Sequence, residues 1–261
     1  MECKLIVHPL AHGIFQISDA MHGPNSDGYS TEPGKATANS YLIIGEERAV
    51  LIDLTLNTPE LYAYAQSLAG KPILVLLTHG HPDHIYHLNT VPEAWLHPAD
   101  DTMVREGIPG ISFPYPDTVL HPLTDGQQID LGGRTIKVIS LPGHTMGSVL
   151  FLDQESGLLF VGDTCARRLL YGVTPTIPVF RHCEMLERLM KQDFSVMHSA
   201  HDRCALPKEY IQTILHCIRE ELPKAGETVM IPGVGEMKNL HWGEEDTLHY
   251  FDLAIMEQYI Q

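Results

Sequence analysis

The stretch THGHPDH, residues 78–84, is the most informative part of the sequence, because it places four metal-competent side chains within six positions. Its first residue, Thr78, is the last residue of the run 73–78. The near-continuous apolar character of that run predicts a strand buried on both faces. The alternation of His79 with His81 points both rings to one side, and Asp83 and His84 follow at once. Neutral imidazole and carboxylate are ligands that zinc, iron and manganese accept. Four such side chains on one turn are enough to serve two metal ions.

Three further strand ends carry side chains of the same kind. LPGHT places His144 after an apolar segment, VGDT places Asp163 at the end of another, and HSAHD places His201 after a third. In a layered domain of two similar halves, such strand ends converge. We therefore expect these three residues to meet the 78–84 stretch in one metal centre.

The full set, H-x-H-x-D-H followed by a separate His, Asp and His, resembles the metallo-β-lactamase superfamily over roughly residues 12–204. The resemblance implies an α/β fold, a four-layer αββα sandwich of two mixed β-sheets flanked by helices. It also implies how the ligands divide: His79, His81 and His144 hold one metal ion, Asp83, His84 and His201 hold the other, and Asp163 bridges both. We expect a single domain over residues 1–261, with a core at about 12–204 and a C-terminal helical and β extension at 205–261.

The resemblance further implies a mechanism. Two divalent ions drop the pKa of a shared water toward ~7, so that a metal-bridging hydroxide becomes the nucleophile. Asp83 is then the catalytic residue, placed to orient the nucleophile and pass a proton to the leaving group. Asp53, at the strand end in VLIDL, matches the family's first acidic motif and supports the site without necessarily binding metal. Three-histidine coordination favours Zn²⁺ as the cofactor, and Fe or Mn suits the carboxylates nearly as well.

Hydrophobic periodicity predicts many strands with a few interleaved helices. Thr58 is the expected N-cap of a helix with Pro59 as its first residue, and its amphipathic stretch runs from Leu61 to Ala69. Further helices are expected at His182–Lys191 and Lys208–Leu222. The expected strands are Leu5–Val7, Gly13–Ile17, Ser40–Ile44, Ala49–Leu54, Ile73–Thr78, Thr135–Leu141, Val149–Asp153, Leu158–Gly162 and Val196–Ser199. Long loops, which usually form lids or pocket walls, are expected at 20–38, 107–117 and 167–180.

The amino-acid composition favours some classes of binding partner and some cellular compartments over others. Seventeen basic residues against 33 acidic ones give a net charge of −16, which repels phosphate backbones and anionic lipid surfaces. The five cysteines contain no C-x-x-C pair, and MECKLIVHPL lacks a charged segment followed by an apolar one. We therefore expect a cytoplasmic protein with a small-molecule substrate and with no nucleic-acid or membrane partner. A homo-oligomer is a further possibility, because the loop at 107–117 is aromatic and rich in proline. Such loops make oligomer contacts as readily as they form pocket walls.

Four residues near the expected metal centre are candidates for contact with substrate. Tyr86 stands where family members commonly carry a small residue, and its hydroxyl is a candidate donor to an oxyanion. Arg167, Arg168 and Tyr171 follow Asp163 in an expected pocket loop, where a guanidinium can hold a carboxylate bidentately. A surface position or an ion pair explains the two arginines equally well.

The expected function is hydrolysis of a small ester, thioester or lactone, since the superfamily most often uses its hydroxide on acyl groups. The glyoxalase II and lactonase branches share this metal set, but the final stretch, residues 235–261, is acidic, unlike the basic glutathione-binding tail of the former. Lactonases carry a tyrosine shortly after the bridging aspartate, where Thr164, Cys165 and Ala166 stand here, and the β-lactamases place a cysteine at the position of Asp163. Cleavage of a small phosphodiester and iron-dependent oxidoreductase chemistry, like that of persulfide dioxygenases, are the alternatives.

Overall fold

Two large mixed β-sheets and a smaller third sheet contain the strands of the computed structural model, which describes residues 5–19, 38–245 and 247–260. Strands and helices are numbered in chain order. In spatial order, the first sheet contains β1 (Leu5–Ala11), β2 (Ile14–Asp19), β3 (Asn39–Ile44), β4 (Ala49–Ile52), β5 (Ile73–Leu76), β6 (Ala94–Leu96) and β7 (Leu120–Pro122). Neighbours from β1 to β4 are antiparallel, and neighbours from β4 to β7 are parallel.

The second sheet packs face to face on the first. In spatial order it contains β14 (Leu206–Pro207), β13 (Val196–Ser199), β11 (Leu158–Gly162), β10 (Val149–Asp153), β9 (Thr135–Ser140) and β8 (Gln128–Asp130). Only the β11–β13 pair is parallel among these described strands. The third sheet contains β12 (Arg168–Tyr171), β17 (Tyr250–Ile255), β16 (Gly235–Gly243) and β15 (Glu227–Ile231), so that it joins a mid-chain strand to C-terminal strands.

Four α-helices lie in the described part of the chain. They are α1 (Leu61–Ala69), α2 (Asp101–Glu106), α3 (Val179–Leu189) and α4 (Tyr210–His216), and α4 continues as a π-helical turn over Cys217–Glu221. Short 3₁₀ turns at Pro82–His84 and Pro98–Asp100 lie beside the candidate site. None of the helices described here has the length and apolar character needed to cross a membrane.

The residues of β4 show how the layers stack. Ala49 and Leu51 belong to the apolar cluster that α1 covers, whereas Val50 and Ile52 belong to the cluster between the two large sheets. A third apolar cluster joins the other face of the second sheet to α3, α4 and the third sheet. The layers therefore follow the order helix, sheet, sheet, helix, which confirms the predicted αββα sandwich.

Strand ends from the two large sheets meet at the candidate site. β5 leads to Thr78 and His79, and β11 ends at Gly162, immediately before Asp163. Gly162 has a φ of 52°, and a Cβ atom at this position would lie 2.4 Å from Oγ1 of Thr78. Glycine therefore permits both the left-handed backbone and the close approach of the two sheets. This approach brings the ligand-bearing strand ends together.

Several elements differ from the sequence expectations. The hydroxyl of Thr58 donates to the carboxylate of Glu60, which is the N-cap residue, so Thr58 does not cap α1. The expected loop at 167–180 contains β12 and the start of α3. The third sheet and the strands β6, β7, β8 and β14 were not predicted. The expected loop at 20–38 lies outside the described residues except for Ala38, and the boundary at residue 204 stays a prediction.

Substitution of Gly162 tests the close approach of the sheets. We expect Gly162→Ala to lower the free energy of unfolding by roughly 2–4 kcal/mol, because it combines left-handed backbone strain with overpacking. Gly157→Ala is the matched control, since Gly157 has a φ of 70° but a Cβ there would have no neighbour nearer than 3.7 Å. It should cost only about 1 kcal/mol. Equal urea midpoints for the two variants would contradict this account.

Candidate metal centre

Three histidines from two loops form the first group of candidate ligands. His79 and His81 follow β5, and His144 lies in the loop between β9 and β10. Nε2 of His144 lies 3.1 Å from Nε2 of His79 and 2.8 Å from Nδ1 of His81. Two metal–nitrogen bonds of about 2.0–2.1 Å at a tetrahedral angle separate their nitrogens by about 3.3–3.4 Å. The observed spacing is close to that of ligands sharing one ion.

Two carboxylates and two histidines form the second group. Nε2 of His84 lies 3.2 Å from Oδ1 of Asp163 and 4.0 Å from Oδ2 of Asp83. Nε2 of His201 lies 3.3 Å from Oδ2 of Asp83 and 3.5 Å from Oδ1 of Asp163. The ligand atoms of each group all lie within 4.8 Å of one another. One cation can therefore contact all four side chains of this group.

Asp163 connects the two groups. Its Oδ1 faces His84 and His201, and its Oδ2 lies 3.6 Å from Nε2 of His144. A carboxylate with one oxygen directed to each group has the geometry of a bridging ligand. The structure thus brings together all seven residues that the sequence singled out as ligands, and their binding of metal stays a prediction.

Asp53 contacts Thr78, which precedes the first group, and His84 of the second group. It follows β4 in a left-handed conformation, with a φ of 58°. Its Oδ1 accepts the backbone N–H of Thr78 at 2.7 Å, and its Oδ2 accepts the Thr78 hydroxyl at 2.7 Å. The same Oδ2 lies 2.9 Å from Nδ1 of His84. Such a contact orients the ring and directs Nε2 toward the candidate metal position.

Buried polar atoms that make no hydrogen bond indicate whether a metal ion fits this site. Nε2 of His84 and Oδ1 of Asp163 are both buried, and although they lie 3.2 Å apart, neither makes a hydrogen bond of acceptable geometry. Leaving a buried polar atom unsatisfied costs about 1–3 kcal/mol, so native proteins nearly always supply a partner. A divalent cation supplies one, because imidazole nitrogen and carboxylate oxygen are among its ordinary ligands. The residues of this site therefore fit a divalent metal ion.

Burial keeps the first group in its metal-binding form. Burial, followed by the charge of His144, lowers the pKa of His81 to about 3. Burial also lowers the pKa of His79 and of His144. Nδ1 of His144 donates to the carbonyl oxygen of Leu170 at 2.6 Å, which leaves the lone pair on Nε2. Neutral rings with a free lone pair are the form that binds a cation.

The second group has the opposite electrostatic character. Burial opposes a charge on His84, but three carboxylates outweigh this effect and raise its pKa to about 10. In order of effect they are those of Asp163, Asp53 and Asp83. Burial likewise opposes ionisation of Asp83 and Asp163, yet histidines such as His84 and His201 hold both pKa values below the usual range. The second group therefore attracts positive charge.

Asp100 is a buried carboxylate that the sequence analysis missed. Its Oδ2 accepts the backbone N–H of Gly80 at 3.0 Å and the hydroxyl of Thr145 at 2.7 Å. Its Oδ1 accepts the backbone N–H of Gly147 at 2.8 Å. Gly80 separates the two histidines of the first loop, and Thr145 follows the histidine of the second. One carboxylate thus fastens both loops that carry the first group.

A cavity of about 200 Å³ opens on the candidate ligands. Its lining includes His81, Asp83, Asp163 and Tyr86. The remaining lining residues are apolar: Pro82, Ile108, Ile111, Leu170, Val173, Ile231, Pro232 and Val234. A mostly apolar cavity with a few convergent polar groups is the usual form of a small-molecule site.

Arg167, Arg168 and Tyr171 lie outside this lining, contrary to the expectation from sequence. Arg168 lies in β12, and its Nη2 donates to Oε1 of Glu245 at 2.9 Å. The side chain of Arg167 donates to Sγ of Cys204 at 3.1 Å. Tyr171 is fully buried, and its hydroxyl donates to a backbone carbonyl in the following loop. Proximity to Asp163 in the chain does not place these three side chains at the cavity.

Comparison with known proteins gives one family match. Residues 33–180 match the family model described as the metallo-beta-lactamase superfamily. The solved structure of a metallo-beta-lactamase from Pontibacter korlensis aligns with a TM-score of 0.65 and 17% identity, covering 84% of this chain and 100% of that one. At this level of identity the alignment shows a common fold.

Two curated relatives match at higher identity. An uncharacterized protein of Mycobacterium tuberculosis is 35% identical over 120 residues, which are 38% of this chain and 54% of that protein. This chain therefore spans about half the length of that relative. The acyl-coenzyme A thioesterase MBLAC2 of Homo sapiens is 28% identical over 221 residues, which are 70% of this chain and 74% of that protein.

Removal of the Asp100 carboxylate tests its support of the first group. We expect Asp100→Ala to weaken metal affinity about 10- to 100-fold, because the two loops lose their common acceptor. Asp101→Ala is the matched control, since that neighbouring carboxylate pairs with Arg105 at 2.8 Å and contacts no candidate ligand. Affinity is measured by competition with a chelator, and circular dichroism checks that both variants are folded. Equal affinities in the two variants would exclude this role for Asp100.

Proposed function

The chain belongs to the metallo-β-lactamase superfamily, and on this basis we propose that it is a dinuclear metal-dependent hydrolase that cleaves a small thioester. Esters and lactones are the related substrates within the same proposal. The observation that carries it is that two compact ligand groups are connected by Asp163 and open on a cavity whose remaining lining is largely apolar. Similarity to an acyl-coenzyme A thioesterase over 70% of the chain supports the choice of thioester.

We assign one divalent cation to each ligand group. The first would be held by His79, His81 and His144, the second by Asp83, His84 and His201, and Asp163 would contact both. Zinc is the proposed ion, because the first group consists of imidazole alone, and manganese or iron also suits the carboxylates of the second. Bound cations of this kind lower the pKa of water and polarise a carbonyl oxygen.

Asp83 has the position of a proton carrier as well as of a ligand. Its carboxylate lines the cavity, and neighbouring histidines keep its pKa low, so that it is ionised. In thioester hydrolysis a C–O bond forms between water and the acyl carbon, and the C–S bond breaks. We assign to Asp83 the uptake of the proton from the attacking water and its delivery to the leaving sulfur.

The remaining residues of the site orient and shield. Asp53 holds the ring of His84 through Nδ1, and Asp100 holds the loops of the first group. Most other lining residues are apolar, and an apolar surrounding strengthens the electrostatic interactions of the site. Tyr86 lines the same cavity, and we assign it to contact with the substrate.

Metal content tests the dinuclear assignment. Protein purified without a histidine tag or added metal should contain about two zinc ions per chain by plasma mass spectrometry. His201→Ala should retain about one ion, whereas His8→Ala, an exposed histidine outside both groups, should retain about two. Folded wild-type protein that takes up no metal would refute the assignment. A single iron would favour the oxidoreductase alternative.

Turnover tests the role of Asp83. At saturating zinc, Asp83→Asn should lower kcat for a hexanoyl thioester of N-acetylcysteamine by about 10²- to 10⁴-fold, since the amide cannot carry the proton. Asp117→Asn is the control, because Asp117 is exposed and lies outside the cavity lining. Retained turnover in Asp83→Asn would remove this residue from proton transfer. Metal-loaded wild-type protein that ignores thioesters, esters and lactones but cleaves phosphodiesters would overturn the proposed reaction.

A further inference from the structure

Both candidate ligands and apolar residues line the cavity. His81, Asp83 and Asp163 line it and belong to the candidate ligand groups. Its walls are largely aliphatic and come from several segments: Ile108, Ile111, Leu170, Val173, Ile231 and Val234. A substrate whose reacting carbonyl reaches the ligands must therefore place the rest of its acyl group against apolar side chains.

No lysine or arginine occurs in the lining, as far as the described residues show. Arg168, two residues before the wall residue Leu170, directs its guanidinium to Glu245 and the ring of Tyr250. A carboxylate at the far end of an acyl group would lose its hydration here and gain no cationic partner. Such burial is strongly unfavourable.

A C-terminal hairpin contributes part of the cavity wall. β15 and β16 are joined by a turn that carries Ile231 and Val234, and these residues line the cavity together with Ile108 and Ile111. The turn touches the other loop directly, because a Cβ atom at Gly233 would lie 3.2 Å from Cγ1 of Ile111. The hairpin lies outside the part of the chain that carries the ligands. It therefore shapes the substrate end of the cavity independently of the metal centre.

We propose that this cavity selects a neutral aliphatic acyl group and rejects acyl groups that end in a carboxylate. The preference for an aliphatic group follows from the apolar side chains that form most of the lining. The selection against charge follows from walls without a basic residue. This inference rests on the proposed acyl hydrolysis, whose site it describes further.

Two thioesters of N-acetylcysteamine test the selection against charge. The hexanoyl and adipoyl esters have the same chain length and differ by a terminal carboxylate. Wild-type enzyme should show a kcat/KM at least about a hundredfold higher for hexanoyl, because the carboxylate is buried without a partner. Ile111→Arg should reduce this ratio to about tenfold or less, since Ile111 is 38% exposed and an arginine there can reach both solvent and the acyl end.

Met230→Arg is the matched control, because Met230 is 67% exposed on the same hairpin and lies outside the lining. It adds the same charge and should leave the hexanoyl preference unchanged. Comparable rates for hexanoyl and adipoyl in the wild type would overturn the inference. An equal loss of preference in both arginine variants would also overturn it, because the effect would then come from net charge.

Binding of neutral thioethers separates this inference from the proposed reaction. By calorimetry, S-hexyl-N-acetylcysteamine should bind at least about tenfold more tightly than the S-ethyl analogue, since four more methylenes are buried. The preference should persist in Met230→Arg and fall in Ile111→Arg. A hexyl preference without thioester turnover would support the cavity assignment and overturn the proposed function. Thioester turnover without a hexyl preference would support the proposed function and overturn the cavity assignment.

Discussion

The rest of the site depends on the carboxylate of Asp163, which contacts both ligand groups. It follows β11 where Gly162 lets the second sheet approach Thr78, and its two oxygens face different groups of ligands. One side chain can therefore hold two cations at the short separation that a shared reaction requires. The layered core maintains this arrangement, because the apolar contacts between the large sheets keep their ligand-bearing strand ends at one edge.

The seven candidate ligands could be found from sequence because their signals are local. Four of them occupy one short turn, Asp163 and His201 each follow a buried strand, and His144 follows the alternating strand β9. β10, β11 and β13 have the bounds that periodicity predicted, since strands buried on both faces contrast sharply with their flanking turns. The family resemblance then supplied what periodicity cannot, namely the predicted division of the ligands between two ions.

Features that depend on contacts between distant segments were not predictable in this way. Asp100 meets Gly80 and Thr145 across 20 and 45 residues of chain, and a lone aspartate before a helix has many ordinary explanations. Arg168 and Tyr171 were placed at the pocket because they follow Asp163, but β12 pairs with β17 and carries them elsewhere. The strand β15 is largely exposed and β16 is mostly half-buried, so their hydrophobic alternation is weak.

The hairpin turn at residues 231–234 has a consequence for how such a protein changes over time. Its side chains form the cavity wall, yet they come from a different sheet and a later part of the chain than every candidate ligand. Mutations and small insertions at an exposed turn are well tolerated, because they disturb few buried contacts. Descendants of one ancestral gene can thus diverge in substrate preference through this turn while they inherit the reactive centre unaltered.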